Sequence, residues 1–425
     1  MIITICICFT LLLIIGVPIA IILGVTTTVS LVFFSNTPLH IITQQLFNAL
    51  DKFILLAIPF FILAGSIMTR GGIARRLIAF INALVGWFPG GLAMAGILAC
   101  IFFAAISGSS PATVVAIGSI MIPALIKAGY GEKFSLGLIT VSGSLGIVIP
   151  PSIPMILYCL VMNVSVAEMF MAGILPGLMI GLALMIYTYI IAKKNNWCIE
   201  TRASLSKIIR AAKEGVWALI LPFIVLGGIY SGIFTPTEAA AVSVVYALFV
   251  EIFIHKEFKI KDITSVCRES AVLSACLLFI LSCAMTFIWL LTAEQIPHQL
   301  ADIIIENIHS PLMFLLTVNI LFLILGCFMD DVSAMLILAP LFLETLNRYG
   351  IDLVHFGIVM VLNIQMGMLT PPFGLNLFVA SGITNEPLTK IAKGVFPFLA
   401  IMLLCLMIVT YIPWISLVLP NLFLR

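Results

Sequence analysis

Charge is what this chain has least of. Asp, Glu, Lys and Arg together make up 9% of its 425 residues, against roughly a quarter in a soluble globular protein. A surface that poor in charge cannot face water all round, which excludes a soluble fold and leaves an integral membrane protein. The formal net charge of +2 excludes a basic nucleic-acid binder, and the Lys and Arg residues fall in short loops rather than on one binding face. Histidine is scarce too, and His40, His255, His298, His309 and His355 show no metal-ligand spacing. The ten cysteines contain no C-x-x-C pair, and most, such as Cys276 and Cys283, lie inside apolar runs, as small hydrophobic residues of helices do. Met1 to Phe34 has no basic start and an apolar run far longer than the core of a cleaved signal. It reads as a retained first span interrupted at Gly16-Val17-Pro18.

What the chain does have is apolar length. Hydrophobic residues make up 63% of it and the mean hydropathy is +1.28. A helix needs about 20 apolar residues to cross a bilayer, which predicts spans at 2–34, 51–69, 71–88, 134–162, 169–192, 214–233, 238–254, 268–292, 353–381 and 388–418. Two more apolar stretches, 89–126 and 311–347, are broken near the middle by small or polar residues, so neither reads as one straight helix. The one sizeable hydrophilic segment is the linker 193–213, which divides the chain into 1–192 and 214–425. Ser110-Pro111, Thr235-Pro236, Ser310-Pro311 and Thr370-Pro371 each read as an N-cap hydroxyl followed by proline at the first helical position. Glu238 adds a capping box to the second of these.

The two halves echo each other. Gly146-Ile147-Val148-Ile149-Pro150-Pro151 recurs as Gly367-Met368-Leu369-Thr370-Pro371-Pro372, offset by 221 residues. Ser109 precedes Pro150 by 41 residues, and Asp330 precedes Pro371 by the same 41. This marks an internal repeat. Each half reads as three spans, a hairpin that enters and leaves on one side (89–126, 311–347), a Pro-broken span (134–162, 353–381) and a final span. Five crossings per half make the second half inverted relative to the first, about ten crossings plus two re-entrant hairpins in all. Paired interrupted segments in inverted repeats point to a secondary transporter. Lys127, Lys133, the linker, the Lys256–Arg268 loop, Lys390 and Lys393 then share one face, which the positive-inside bias makes cytoplasmic. Both termini lie outside, and Arg70, Arg75 and Arg76 fall on the opposite face.

No hydrogen bond to lipid can satisfy a broken helix, so each break must be buried in protein or line a watery cavity. In 89–126 an arm of about 15 residues arrives at Ser107–Ser110 and a similar arm leaves, each covering about 22 Å, short of the ~30 Å core. The tip therefore lies within the membrane. Its amides favour an anion, and its carbonyls and hydroxyls suit a small hard cation. The second tip, 326–334, carries Asp330 and Asp331, and an ionisable residue at that depth is functional by default. The breaks 142–155 and 363–376 unwind beside the tips, their tandem prolines removing two backbone donors each.

GSSPATVVAIGSIMIPA, SGSLGIVIPPSIPMI, TPTEAAAV, D-x-x-A-M at 331–335 and GMLTPPFGLNLFVA resemble the large membrane subunit of the TRAP (tripartite ATP-independent periplasmic) transporters, and the likeness runs through nearly the whole chain. The resemblance implies an all-α polytopic protein of the bacterial inner membrane, with an ion-transporter-like elevator fold of two inverted repeats. It implies sodium-coupled import of an organic acid: a C4-dicarboxylate, sialic acid, sugar acid or keto acid. The implied partners are a small four-helix membrane subunit and a periplasmic substrate-binding protein, with Na+ as coupling ion and no other cofactor. One sodium site falls among Ser107, Gly108, Ser109, Ser110, Gly143, Gly146 and Pro150. A second falls among Gly326, Asp330, Gly367 and Thr370, and substrate contacts fall at Ser110, Thr113 and Asn376. Asp331 departs from the family pattern, where a small or neutral residue is expected. The competing readings are an ion channel, which needs a continuous polar pore, and an intramembrane protease, for which Ser107 lacks a mid-span histidine base. For an elevator, the spans 51–69 and 238–254 are expected to form the static wall.

Overall fold

Apolar runs punctuated by Gly and Pro become helices that end where the punctuation stands. The computed structural model describes residues 2–34, 37–197, 202–372 and 374–425, so positions 198–201 of the linker lie outside the described residues. The first half comprises α1 (Ile2–Ile14), α2 (Ile19–Phe34), α3 (His40–Leu50), α4 (Ala57–Arg70), α5 (Ile73–Val85), α6 (Gly91–Ser107), α7 (Ser110–Lys127), α8 (Glu132–Ser144), α9 (Ile153–Met162) and α10 (Val166–Lys194). The second comprises α11 (Leu205–Tyr230), α12 (Pro236–Phe249), α13 (Ile260–Ala293), α14 (Ile296–Asn307), α15 (Pro311–Gly326) and α16 (Asp331–Tyr349). It ends with α17 (Leu353–Gly367), α18 (Leu375–Thr384), α19 (Leu388–Tyr411) and α20 (Trp414–Phe423). No strand occurs among the described residues, and 7 continuous helical stretches are long and apolar enough to cross a bilayer. The protein is an all-helical, multi-pass membrane protein.

Both hairpins form. The arms α6 and α7 run 17 and 18 residues, about 26–27 Å at 1.5 Å per residue, longer than expected. They still fold back on each other, since Gly96 meets Met121 at mirrored distances from the tip. The second hairpin closes through ring contacts of Phe314 with Phe342 and Tyr349, and of Phe322 with Phe342. The broken spans are α8/α9 and α17/α18. Their prolines sit at the same place with the same geometry, as the Pro150-Pro151 and Pro371-Pro372 bonds are both cis.

Two expected spans are reassigned. The first, 2–34, is a fold-back: Gly16 takes φ +82°, which glycine tolerates, and Thr26 Oγ1 reaches back to Cys8 Sγ at 3.6 Å. The window 71–88 is α5, 13 residues or about 20 Å long, with Ile73, Ala74, Leu77, Ile78 and Ile81 buried along one face and α11 packed beside it. It lies at the equivalent place to α14, which meets α15 at 118°. Each hairpin is thus preceded by a short amphipathic helix instead of a span.

This changes where the arginines stand. Arg70 pairs with Glu269, and Arg75 and Arg76 both pair with Glu257. The 70–76 segment therefore meets Glu257 and the start of α13 on one face, not the opposite one. Burial opposes ionisation of Glu257, but Arg76 and Arg75 outweigh it and hold the carboxyl below its usual range. Glu251, fully buried, accepts from the amides of Gly72 (3.2 Å) and Ile73 (3.1 Å) and so fixes the start of α5 to the end of α12. All of the 20 Lys and Arg residues except Lys52, Arg348 and Arg425 cluster at this end, which the positive-inside bias places in the cytoplasm. At the other end Arg425 joins Glu168 and Asp352.

The caps divide. Thr235 forms the expected capping box with Glu238. Ser310 caps α15 by position but without a side-chain bond. The N-cap of α7 is Ser109, one residue before Ser110. Thr370 caps no helix; its hydroxyl donates back to Met366 O at 2.8 Å, and α18 begins only at Leu375. A hydroxyl one turn from a free carbonyl bonds locally, and the two prolines after it postpone the next helix.

Candidate binding site

The first tip is built by a glycine. Gly108 ends α6 with φ +60° and Ser109 is extended, so the chain reverses within two residues. Ser107 Oγ lies 3.0 Å from Thr113 Oγ1, and Thr113 Oγ1 donates to Ser109 O at 2.9 Å. The broken span closes over this turn because it too is glycine there. A Cβ on Gly146 would stand 2.5 Å from Ser109 O and 2.8 Å from Thr113 Oγ1, and one on Gly143 would stand 2.4 Å from Val114. Ile153 N donates to Gly108 O at 3.3 Å. Ser107, Gly108, Ser109, Thr113, Gly143 and Gly146 thus meet in one place. Pro150 reaches it through its neighbour, whose carbonyl a Cβ on Gly108 would approach to 2.9 Å.

At the second tip the backbones of Gly326 and Gly367 touch: a Cβ on Gly367 would lie 2.5 Å from Gly326 C and 2.7 Å from its oxygen. Asp330 caps α16 by accepting from Ser333 N at 3.1 Å, and Asp331 accepts from Val332 N at 3.0 Å. Both aspartates stand at a helix start, yet both line the cavity described below. Thr370 keeps to its own turn, where Gly374 lies against Met368 O and Thr370 O.

The halves are tied across the site. Asn376 Nδ2 donates to Ser110 Oγ at 2.6 Å, with both residues fully buried. Two of the three expected substrate contacts are therefore partners, while the Thr113 hydroxyl turns to Ser107 and Ser109. Gln365 Nε2 donates to Ser144 Oγ at 2.8 Å, and these residues stand 221 positions apart. That is the repeat offset itself, so the bond lies on the axis relating the halves. Asn363 Nδ2 donates to Asn319 Oδ1 at 2.7 Å. Asn319, Asn363 and Gln365 were not singled out from the sequence. Their signal was present as three amides inside apolar runs, where an unpartnered polar group is costly. Buried oxygens without a hydrogen-bond partner among the described residues remain on Ser142, Ser333, Asn363, Gln365 and Asn376.

A cavity of about 570 Å³ lies between the tips and a wall. Ser107, Gly108 and Ser109 line it from the first hairpin, and Asp330 and Asp331 from the second. Opposite them stand Gly65, Ser66 and Arg70 of α4, and Glu269, Leu273 and Cys276 of α13. The second wall helix is therefore α13 and not 238–254, which packs behind α4. The reason is the displaced frame: with α5 counted as a span, the helix matching α4 is taken one element too early. Ser107 pairs with Thr113, whereas buried His355 lies 2.8 Å from Ser416 Oγ and 3.3 Å from Thr410 O. No nucleophile–base pair joins them.

Residues 6–415 match the model of the DctM component of the tripartite ATP-independent periplasmic transporters. The C4-dicarboxylate TRAP transporter large permease protein DctM of Pseudomonas aeruginosa is 47% identical over 399 residues, covering 94% of this chain and 93% of that protein. The isethionate TRAP transporter permease protein DctMQ of Oleidesulfovibrio alaskensis is 44% identical over 95% of this chain, which spans 64% of that longer protein. Both relatives are named as permeases, not enzymes. Among solved structures, the YdaH transporter of Alcanivorax borkumensis superimposes with a TM-score of 0.67 over 96% of this chain and 98% of its own, at 14% identity. That likeness concerns the fold.

Proposed function

The chain belongs to the DctM component family of the tripartite ATP-independent periplasmic transporters, and from this premise we propose that it imports a C4-dicarboxylate across the bacterial inner membrane by sodium coupling. Its partners in this reading are a small membrane subunit and a periplasmic binding protein that delivers the acid. The DctM relative at 47% identity supports the dicarboxylate. The isethionate relative favours a second reading, an organosulfonate with the same anionic head. The DctMQ relative, whose name joins two components and of which this chain spans 64%, supports a small subunit as partner.

The observation that carries the ion reading is the oxygen chemistry of the tips. Ser107 Oγ, Thr113 Oγ1 and the Ser109 carbonyl converge where Gly146 leaves room for them. Gly367 leaves room beside Gly326 O in the same way, with Asp330 at the same tip. Hydroxyls, carbonyls and one carboxylate are hard ligands, fit for a small cation. Sodium, when bound, supplies the positive charge that lets an anion approach two aspartates. The chain's own residues do the rest: Asn376 and Ser110 bind one half to the other, and the glycines let the backbones of the tips and the broken spans touch.

In this reading the tips with the broken spans move as one body past α4 and α13, an elevator. The test is uptake of radiolabelled succinate and isethionate into proteoliposomes holding this chain, the small subunit and the binding protein. Uptake of one acid is expected only with an inward sodium gradient. Undiminished uptake in sodium-free buffer under a proton gradient overturns sodium coupling.

A further inference from the structure

The cavity holds three carboxylates among its lining residues, Asp330 and Asp331 on the hairpin and Glu269 on α13, and one cation, Arg70. An organic anion entering it meets repulsion from every charged wall but one. Arg70 is the last residue of α4, at the cytoplasmic end, and the cavity runs from it toward Ile62 and Ile153. Its guanidinium donates to Glu269 through Nη2 and to Ser265 Oγ through Nη1 at 3.2 Å, and Ser265 donates to Glu269 Oε1 at 3.3 Å. The two charged side chains are 40% and 49% exposed.

That exposure matters. An ion pair open to water is held weakly, so its carboxylate can be exchanged for another. The neighbouring Arg75 and Arg76 are already engaged with Glu257, and neither lines the cavity. As a staple between α4 and α13 the pair is redundant, because these helices already pack along each other. The planar fork of an arginine matches a carboxylate or a sulfonate with two parallel hydrogen bonds.

We propose that Arg70 is the anion-receiving residue of the cytoplasm-facing cavity, where the head group of the transported acid displaces Glu269 from the guanidinium and Glu269 reclaims it as the acid leaves. Glu269 is thereby a built-in competitor that speeds release into the cytoplasm. The site takes a small organic anion with at least one carboxylate or sulfonate, and it rests on the transport reading above. A volume of about 570 Å³ lies within the ordinary range for a small-molecule site.

Cys276 makes the proposal testable without transport, since it is exposed and lines the same cavity. In the purified complex of this chain with its small subunit, maleimide labelling of Cys276 is followed by peptide mapping as succinate or isethionate is added, with succinamide as the uncharged control. The acid that is imported should slow labelling and succinamide should not. Arg70→Gln should raise the half-protecting concentration tenfold or more, Arg70→Lys should recover part of the loss, and Glu269→Gln should lower it below wild type. The double variant R70Q/E269Q, which leaves no unpaired charge, controls for folding and should resemble R70Q. Wild-type protection in R70Q, or a loss that E269Q shares equally, overturns the proposal and makes the pair a staple. So does a complex that imports an acid which never protects Cys276, and in that case the transport reading stands. A complex that imports neither acid, protected or not, counts against the transport reading itself.

Discussion

Gly146 carries more of the candidate site than its lack of a side chain suggests. A methyl there would stand 2.5 Å from Ser109 O, a backbone atom that cannot retreat without dragging the turn at Gly108 with it. Gly227, by contrast, has open space where its Cβ would go. Gly146→Ala should therefore raise the sodium concentration for half-maximal uptake at least tenfold, while Gly227→Ala leaves it unchanged. Sodium titration of uptake by both variants decides this, and equal curves would remove Gly146 from the ion site. The glycine itself is plain in the sequence through its repeat partner Gly367. What it faces is not, because Ser109 lies 37 residues away and only the packing of α8 on α7 brings the two together.

Helix ends set where the elements start, and two of them are held by acids of different standing. Glu238 closes an exposed capping box with Thr235. Glu251 is buried and satisfies two amides at the start of α5 from a distance of 178 residues or more. Thr235→Ala should cost about 0.5–2 kcal/mol, as other N-caps do. Glu251→Ala should cost more, since it orphans two buried donors at about 1–3 kcal/mol each. Thermal melts of detergent-solubilised protein should rank Glu251→Ala well below Thr235→Ala, with sodium dependence normal in the surviving Thr235→Ala protein. A strong shift in sodium dependence at normal yield would move Thr235 into the ion site. The Thr-Pro-Thr-Glu cap is legible because all its parts are local. Glu251 shows only as an acid near the end of an apolar span, and its partners are set by the path of another helix.

Across the whole molecule, hydrogen bonds join the halves in two separate groups, one within the wall, such as Arg70 with Glu269, and one among the hairpins and broken spans. Ser110 with Asn376 and Ser144 with Gln365 tie the first hairpin and both broken spans together, and Asn363 with Asn319 adds the second hairpin to the same unit. The contact with the wall is of another kind: a Cβ on Gly65 of α4 would lie 3.2 Å from Ser107 Cα, close packing of small residues with no bond to break. A body tied within and smooth without is suited to sliding. Val115 and Leu273 line the cavity from its two sides, so a cross-link between cysteines at these positions, with native cysteines removed, should stop uptake while sodium-dependent binding of the acid persists. Full uptake by quantitatively cross-linked protein would rule out the sliding body and leave opening by the tips alone.

The sequence by itself determined that this is a helical membrane protein with two related halves, two broken hairpins and two Pro-broken spans. Those features are local or periodic: hydropathy over a window, helix breakers within it, and an offset of 221 residues that repeats them. The residues at the breaks were equally visible, because polar groups and glycines have no other reason to stand in such apolar surroundings. Only the tertiary structure decided that 2–34 folds back at Gly16, that 71–88 is a short helix packed between α6 and α11, and that Arg70 to Arg76 join the cytoplasmic charges. It alone set α13 opposite the tips and Arg70 beside Glu269 in the cavity. Hydropathy measures how much apolar surface a segment must hide and is silent on whether lipid or another helix hides it. That choice is made by contacts between residues hundreds of positions apart, and the pairing of the site's residues is made with it.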